Sequence, residues 1–230
     1  MCISKKIPPA KQENLYYIPP AKQEHLIAVT NRHLFDEAGG QPAFLARLEQ
    51  VAAAHPAALI LREKDMEEGD YEVLAREVQI LCCRHQVPFI AHTFAGAAKH
   101  LCADGLHLPL PLLRTMRQEG RALPGRLGTS CHSLEDVREA EQLGCSYLIA
   151  GHIYETTCKP GLPPRGLRFL REAAASTALP VYAIGGITAD RGPGIGMVVD
   201  QNASIAGAAG GCAMSSLMQG PLWLAAQNNP

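Results

Sequence analysis

The sequence predicts a single (β/α)8 barrel, and three observations carry that prediction. Eight short apolar segments with strand character alternate with helical patterns from residue 26 onward. No shift in composition marks a linker between them, and 230 residues is close to the usual size of one such barrel. Nearly every strand segment hands over to titratable or hydroxyl groups at its carboxyl end: Arg62 and Lys64, His92 and Thr93, Ser130 and His132, His152, and Ser215 and Ser216. A barrel gathers such groups on one face. A doubly wound open sheet is the alternative architecture.

Residues 1–25 stand apart as a polar arm, leaving 26–230 for the barrel. The arm carries a direct repeat, Ile7 to Glu13 and again Ile18 to Glu24, at a period of 11 residues. Its paired prolines disfavour helix, and two copies are too few for a repeat architecture.

The first strand is Leu26 to Thr30, after which Pro42 opens a helix with apolar residues at Phe44, Leu45, Leu48, Val51 and Ala52. Ala57 to Leu61 forms the second strand, and Asp70 is the expected cap of a helix carrying Val73, Leu74, Val78 and Leu81. The third unit is Val87 to Ala91 with a short helix from Ala97 to Leu101. The fourth is Gly105 to Leu108 with a helix from Leu110 to Glu119. Arg126 to Ser130 is the fifth strand, and Ser133 with Asp136 three residues later is a capping signal for a helix that stops at Gly144. Strand six, Tyr147 to Ala150, stops on Gly151; a helix from Leu167 to Ala175 and a seventh strand, Leu179 to Ile184, follow. A glycine-rich stretch around Gly192 to Gly196 is poor in helical periodicity. It leads to an eighth strand near Gly211 to Met214 and a tail beyond Gly220 that is short for a closing helix.

A formal net charge of −1 with no basic stripe argues against nucleic acid as a partner. Neither an apolar run of membrane-spanning length nor a secretory leader is present, so the expected setting is the cytoplasm, with no membrane contact. The eight cysteines include no C-x-x-C spacing and are expected to be free thiols. Nor do the nine histidines make a helical i, i+4 pair with a carboxylate, so no metal site is expected.

Gly185-Gly186 after strand seven and Ser215-Ser216 after strand eight suit a phosphate, because glycine lets backbone N–H groups approach an anion and these two loops form the usual barrel phosphate site. A plain tight turn is the competing reading. Arg62 and Lys64 share one side of a strand by period-two spacing and could bind a carboxylate or phosphate, as could Lys159; solvated surface charge is the alternative. His152 follows the glycine that ends strand six. An imidazole that titrates near neutral pH can accept and return a proton, although a hydrogen-bonded structural histidine would also sit here.

Together LREKD at 61–65, ADGLHLP at 103–109, the stretch 127–167 containing GHIYETTCK, and PVYAIGGIT at 180–188 resemble the thiamine-phosphate synthase/TenI superfamily. The resemblance spans about residues 26–218. It implies a (β/α)8 barrel acting on a phosphorylated thiazole, without cofactor or metal in the tautomerase branch, and commonly a homodimer. Synthases resemble G-P-x-F-x-T-x-T-K in the loop after strand six, whereas Gly151-His152-Ile153-Tyr154-Glu155-Thr156 is similar to the G-H-[VI]-[FY]-E-T of TenI-type thiazole tautomerases. Ile60, His92-Thr93 and the acid-free run Leu108 to Leu112 also stand where synthases typically carry glutamine, Asn-Asp and an acid.

The resemblance therefore implies a thiazole tautomerase with His152 as the catalytic acid/base. By the same resemblance the phosphate sits on Gly185, Gly186 and the Met214-Ser215 turn, with Arg62, Lys64, Ser130 and Lys159 for the carboxylate and the mouth. Thiamine-phosphate synthase and a non-catalytic, regulatory thiazole-phosphate-binding barrel are the alternatives.

Overall fold

A computed structural model of the chain describes residues 25–123, 125–188 and 207–220. Eight parallel strands close into a barrel in chain order. They are β1 Leu26–Val29, β2 Ala58–Leu61, β3 Phe89–His92, β4 Gly105–Pro109, β5 Arg126–Cys131, β6 Tyr147–Gly151, β7 Val181–Ile184 and β8 Gly210–Ala213. Closure is made by β8 on β1, with Leu26 opposite Gly211 and Ala28 opposite Ala213. The helices among the described residues are α1 Gly40–Ala53, α2 Glu68–Arg84, α3 Ala95–His100, α4 Leu110–Gln118, α5 Leu134–Gln142, α6 Gly166–Ala175 and α7 Ser215–Met218.

Period-two alternation divides the core in two. Outward-facing residues such as Leu59, Leu61, Phe89 and Leu148 pack under the helices against Phe44, Leu48, Leu74, Val78, Leu113 and Leu170. Inward-facing Ile27, Val29, Ile60, Ile90, Tyr147, Ile149, Tyr182 and Cys212 fill the barrel itself. Tyr147 fits inside because its neighbour on β5 is Gly128. A Cβ at residue 128 would lie 2.0 Å from Cζ of the Tyr147 ring.

Several expected boundaries move. Glu67, not Asp70, precedes the first residue of α2, and Asp70 instead joins Glu68 in the first turn, where a carboxylate favours the helix dipole. Val73 on that helix is 65% exposed while Leu74, Val78 and Leu81 are buried, so three of the four apolar positions face the barrel. α1 starts at Gly40, two residues before Pro42. β3 runs to His92, which places that histidine in the strand, and β7 begins only at Val181. A 3-10 turn at Arg32–Phe35, capped by the Asn31 side chain, was not foreseen. The Ser133–Asp136 capping box is present, with Ser133 Oγ accepting from the Asp136 amide at 3.1 Å. Cys83 is disulfide-bonded, a correction to the expectation of eight free thiols, because motif spacing is blind to a single cross-link; Cys82, Cys102, Cys131, Cys145, Cys158 and Cys212 are free. Apart from His25, the N-terminal arm lies outside the described residues, as do the stretch around Gly192 to Gly196 and the tail beyond Gly220. Among the described residues no helix is long and apolar enough to cross a membrane.

Candidate active site

The carboxyl ends of the strands surround a cavity of about 1040 Å³. Arg62 and Lys64 enter it from the end of β2, Ser130 from β5, and His152 and Lys159 from the loop after β6. Gly185 and Gly186 line it from the turn after β7, and Met214 and Ser215 from the turn after β8. Thus every residue expected to take part in catalysis or substrate binding borders one space. His92, His132 and Ser216 border it as well, whereas Thr93 turns its hydroxyl to His92 Nδ1, 2.7 Å away.

Arg62 and Lys64 are presented by the residue between them. Glu63 is 2% exposed, accepts from the Thr30 hydroxyl at 2.5 Å and takes the Arg32 amide at 3.1 Å on each oxygen. Thr30 in turn accepts from the Arg62 amide at 2.9 Å. Burial raises the Glu63 carboxyl pKa against the lowering effect of these donors and of Arg32. This knot ties the end of β1 to the end of β2, so the alternation of the strand is kept in the loop and both cations turn toward the mouth.

His152 is buried, and it sits where Gly185 makes room for it. Gly185 has φ +97°, and a Cβ there would lie 2.3 Å from His152 Cβ and 2.8 Å from its Cα. Backbone bonds clamp the neighbourhood: Ile153 N–H to Ile184 O at 2.8 Å, Tyr154 N–H to Gly185 O at 3.0 Å, Arg165 N–H to His152 O at 2.9 Å and Gly166 N–H to Ile153 O at 3.1 Å. His132 Nδ1 lies 2.6 Å from the Gly151 carbonyl. The Nε2 of His152 is 3.2 Å from Leu162 O. A carbonyl can only accept, so Nε2 carries the hydrogen and Nδ1 is the basic nitrogen.

Two further histidines lie in the barrel beneath the cavity. His92 and His107 stack with ring centroids 5.5 Å apart at 18°. His107 contacts Tyr147 Oη at 3.1 Å through Nδ1 and Ser130 Oγ at 3.0 Å through Nε2. Burial, and then Arg62, pushes the His107 pKa down to about 3; burial, then His107, Arg62 and Lys64, pushes His92 well below its ordinary value. Both are neutral imidazoles at pH 7. Sequence reading passed over His107, a single polar residue in an apolar strand. Its even spacing from Gly105 and its place opposite Gly128 are the signals that would have turned it inward.

The cavity is cationic. Burial, with Arg165 and Arg62 nearby, lowers the Lys159 ammonium pKa. Among the described residues the carboxylates on the lining are Asp136 and Glu155. Asp136 Oδ2 is already occupied, accepting the His132 amide at 2.6 Å and the Ser133 amide at 3.1 Å. The first two amides of α7, Ser215 and Ser216, have no partner within the helix, whose first intrahelical bonds are from Leu217 and Met218 to Met214 O. Ser216 Oγ donates to Ile187 O at 2.8 Å and so joins the turns after β7 and β8. Cations thus border the cavity at the end of β2 and in the loop after β6, and glycines and the first amides of α7 border it at the turns after β7 and β8.

A family model described as thiamine monophosphate synthase matches residues 26–216. A thiamine-phosphate synthase of Thermus thermophilus is 37% identical over 146 residues, covering 63% of this chain and 70% of the relative. Thiamine-phosphate synthase 2 of Streptococcus pneumoniae serotype 4 is 30% identical over 170 residues, or 72% of this chain and 77% of the relative. Among solved structures, a thiamine phosphate pyrophosphorylase from Pyrococcus furiosus superposes with a TM-score of 0.67 at 24% identity, covering 87% of this chain and 90% of its own.

Proposed function

The chain belongs to the thiamine monophosphate synthase family, TMP-TENI, and from that premise we propose that it is a thiazole tautomerase of thiamine biosynthesis. The observation that carries this reading is His152: an imidazole on the cavity wall, its Nε2–H given to Leu162 and its Nδ1 left basic, at the position where synthases resemble proline. Nδ1 takes the proton from the ring carbon that bears the carboxylate of a carboxythiazole phosphate. The released electron pair shifts through the ring toward the exocyclic carbon, which receives the proton back, and the product is the aromatic isomer. Atoms and electrons balance within the substrate, so the chain supplies a proton shuttle and a clamp. Arg62, Lys64, Ser130 and Lys159 are the groups for the carboxylate. Gly185, Gly186 and the Met214-Ser215 turn are the groups for the phosphate.

The names of the relatives favour a second reading, thiamine-phosphate synthase. A magnesium diphosphate asks for carboxylate oxygens. Among the described residues the lining carboxylates are Glu155 and Asp136, whose Oδ2 already accepts two amides, so the ion would rest mainly on the diphosphate and water. No step is therefore drawn through magnesium.

The deciding assay follows the absorbance of the non-aromatic carboxythiazole phosphate with chelator present. Turnover is the expected result. Its absence, with coupling of pyrimidine diphosphate and thiazole phosphate in magnesium, establishes the synthase instead; binding without either reaction leaves a regulatory barrel. We further propose a cytoplasmic homodimer, for which light scattering should give twice the 24.7 kDa chain mass and a monomer mass would refute it.

A further inference from the structure

Tyr147 and His107 are wholly internal, and the proton shuttle uses neither. Their hydrogen bonds form a directed chain. The Tyr147 hydroxyl has one hydrogen-bond partner among the described residues, His107 Nδ1 at 3.1 Å, and His107 Nε2 meets Ser130 Oγ at 3.0 Å. A neutral imidazole carries one N–H and one acceptor nitrogen. With the hydrogen on Nδ1, the buried phenol would have to accept, and its own O–H would be left without an acceptor inside the barrel. With the hydrogen on Nε2, every group is satisfied: phenol O–H to Nδ1, and Nε2–H to Ser130 Oγ. Ser130 then spends a lone pair on His107, which leaves its own hydrogen free to be donated into the cavity that it borders.

We propose that Tyr147 and His107 are positioning residues, a relay that holds Ser130 as a hydrogen-bond donor aimed at an anionic group of the substrate. The proposal rests on the reading of Ser130 as a contact for the substrate carboxylate. The surroundings hold the relay in register. Gly128 admits the Tyr147 ring, Tyr182 packs edge-on against it with centroids 6.3 Å apart, and His92 stacks on the other side of His107. Burial and Arg62 keep His107 neutral, so it cannot donate from both nitrogens. A serine hydroxyl on its own rotates between donor and acceptor roles; here the phenol at the base of the barrel decides for it.

Two measurements test the relay. Long-range proton–nitrogen correlation spectra of the imidazoles in the ligand-free wild-type chain report the tautomer directly. His107 protonated on Nε2 is the expected result, and His107 protonated on Nδ1 or on both nitrogens overturns the proposal. Tyr147→Phe removes one oxygen and keeps the ring. It should release the His107 tautomer and raise KM for the carboxythiazole phosphate about tenfold, the scale of one weakened bond to a charged group, with kcat within about threefold. Once Ser130→Ala has been made, adding Tyr147→Phe should change KM no further. Equal effects in both backgrounds would overturn the relay, since the phenol would then act independently of Ser130. The spectra need no substrate, so the two readings fail separately. An Nε2–H tautomer without turnover removes the tautomerase and keeps the relay; turnover with an Nδ1–H tautomer does the reverse.

Discussion

His152→Ala should lower kcat for tautomerisation by about 10²-fold or more, the usual contribution of a positioned acid/base, while KM changes little. All of the proposed anion-binding groups but Lys159, seven residues further along the same loop, lie on other strands: Arg62 and Lys64 after β2, Ser130 on β5, and the turns after β7 and β8. Removing an imidazole from the loop after β6 therefore leaves the proposed clamp in place. His152→Gln separates chemistry from architecture. Its amide can still donate to Leu162 O and fill the space against Gly185, but it cannot take up and return a proton. Both variants should be equally inactive with thermal melts close to wild type. If His152→Gln keeps activity within about tenfold of wild type, the proton passes through another group and the shuttle is wrong.

Mild acid is expected to weaken the fold strongly between pH 6.5 and 5. His92 and His107 have depressed pKa values in the native barrel, whereas an unfolded histidine titrates near 6.5. Below that value the unfolded chain binds two protons that the native chain refuses, so stability falls as pH falls, and the loss continues toward the native value of about 3 for His107. The slope approaches about 1.4 kcal/mol per pH unit for each histidine, which sums to a few kcal/mol by pH 5 against a typical total of about 5–15 kcal/mol. Above pH 6.5 the pair contributes no pH dependence. Burial raises the Glu63 carboxyl, and hydrogen bonds to Asp36 and Asp65 raise His33; both take up a proton in the fold and act in the opposite sense, His33 only weakly because it is exposed and screened by solvent, so a net loss remains. Urea midpoints at pH 6.5, 5.75 and 5 measure the slope; a line that stays flat in a His33→Asn background, where one opposing group is removed, would mean that the histidines are solvated in the native state.

The barrel was legible because its evidence is local. Apolar strands of four to six residues, glycine stops and the Ser133–Asp136 pair can each be read within a short window. The cavity lining was legible for a related reason: in this architecture the residue that follows a strand is on the working face whatever its neighbours are. What escaped depends on pairing between strands. His107 finds its partners 23 and 40 residues away, and only the register that puts Gly128 beside both His107 and Tyr147 makes it part of a network. Glu63 read as one charge in a charged run, and its partners Thr30 and Arg32 lie about 30 residues earlier, just past the end of the neighbouring strand. The Asp70 and Pro42 boundaries slipped because capping preferences are weak beside the packing of α1 and α2 on the barrel.

The four backbone bonds around His152 have a consequence for how such an enzyme can change. They fasten the chain at Ile153 and Tyr154 to β7 and its turn on the outgoing side, and at Arg165 and Gly166 back to His152 and Ile153 on the returning side. Between those fastenings hangs a span, residues 156–164, whose Leu162 is 58% exposed. The span carries two fixed points, Lys159 on the cavity lining and the Leu162 carbonyl that receives the His152 Nε2–H, while neither seam draws on its side chains. The rest of the span is a cassette mounted on a fixed frame: selection can retune what the mouth admits while the imidazole stays where β6, Gly185 and the Leu162 carbonyl set it.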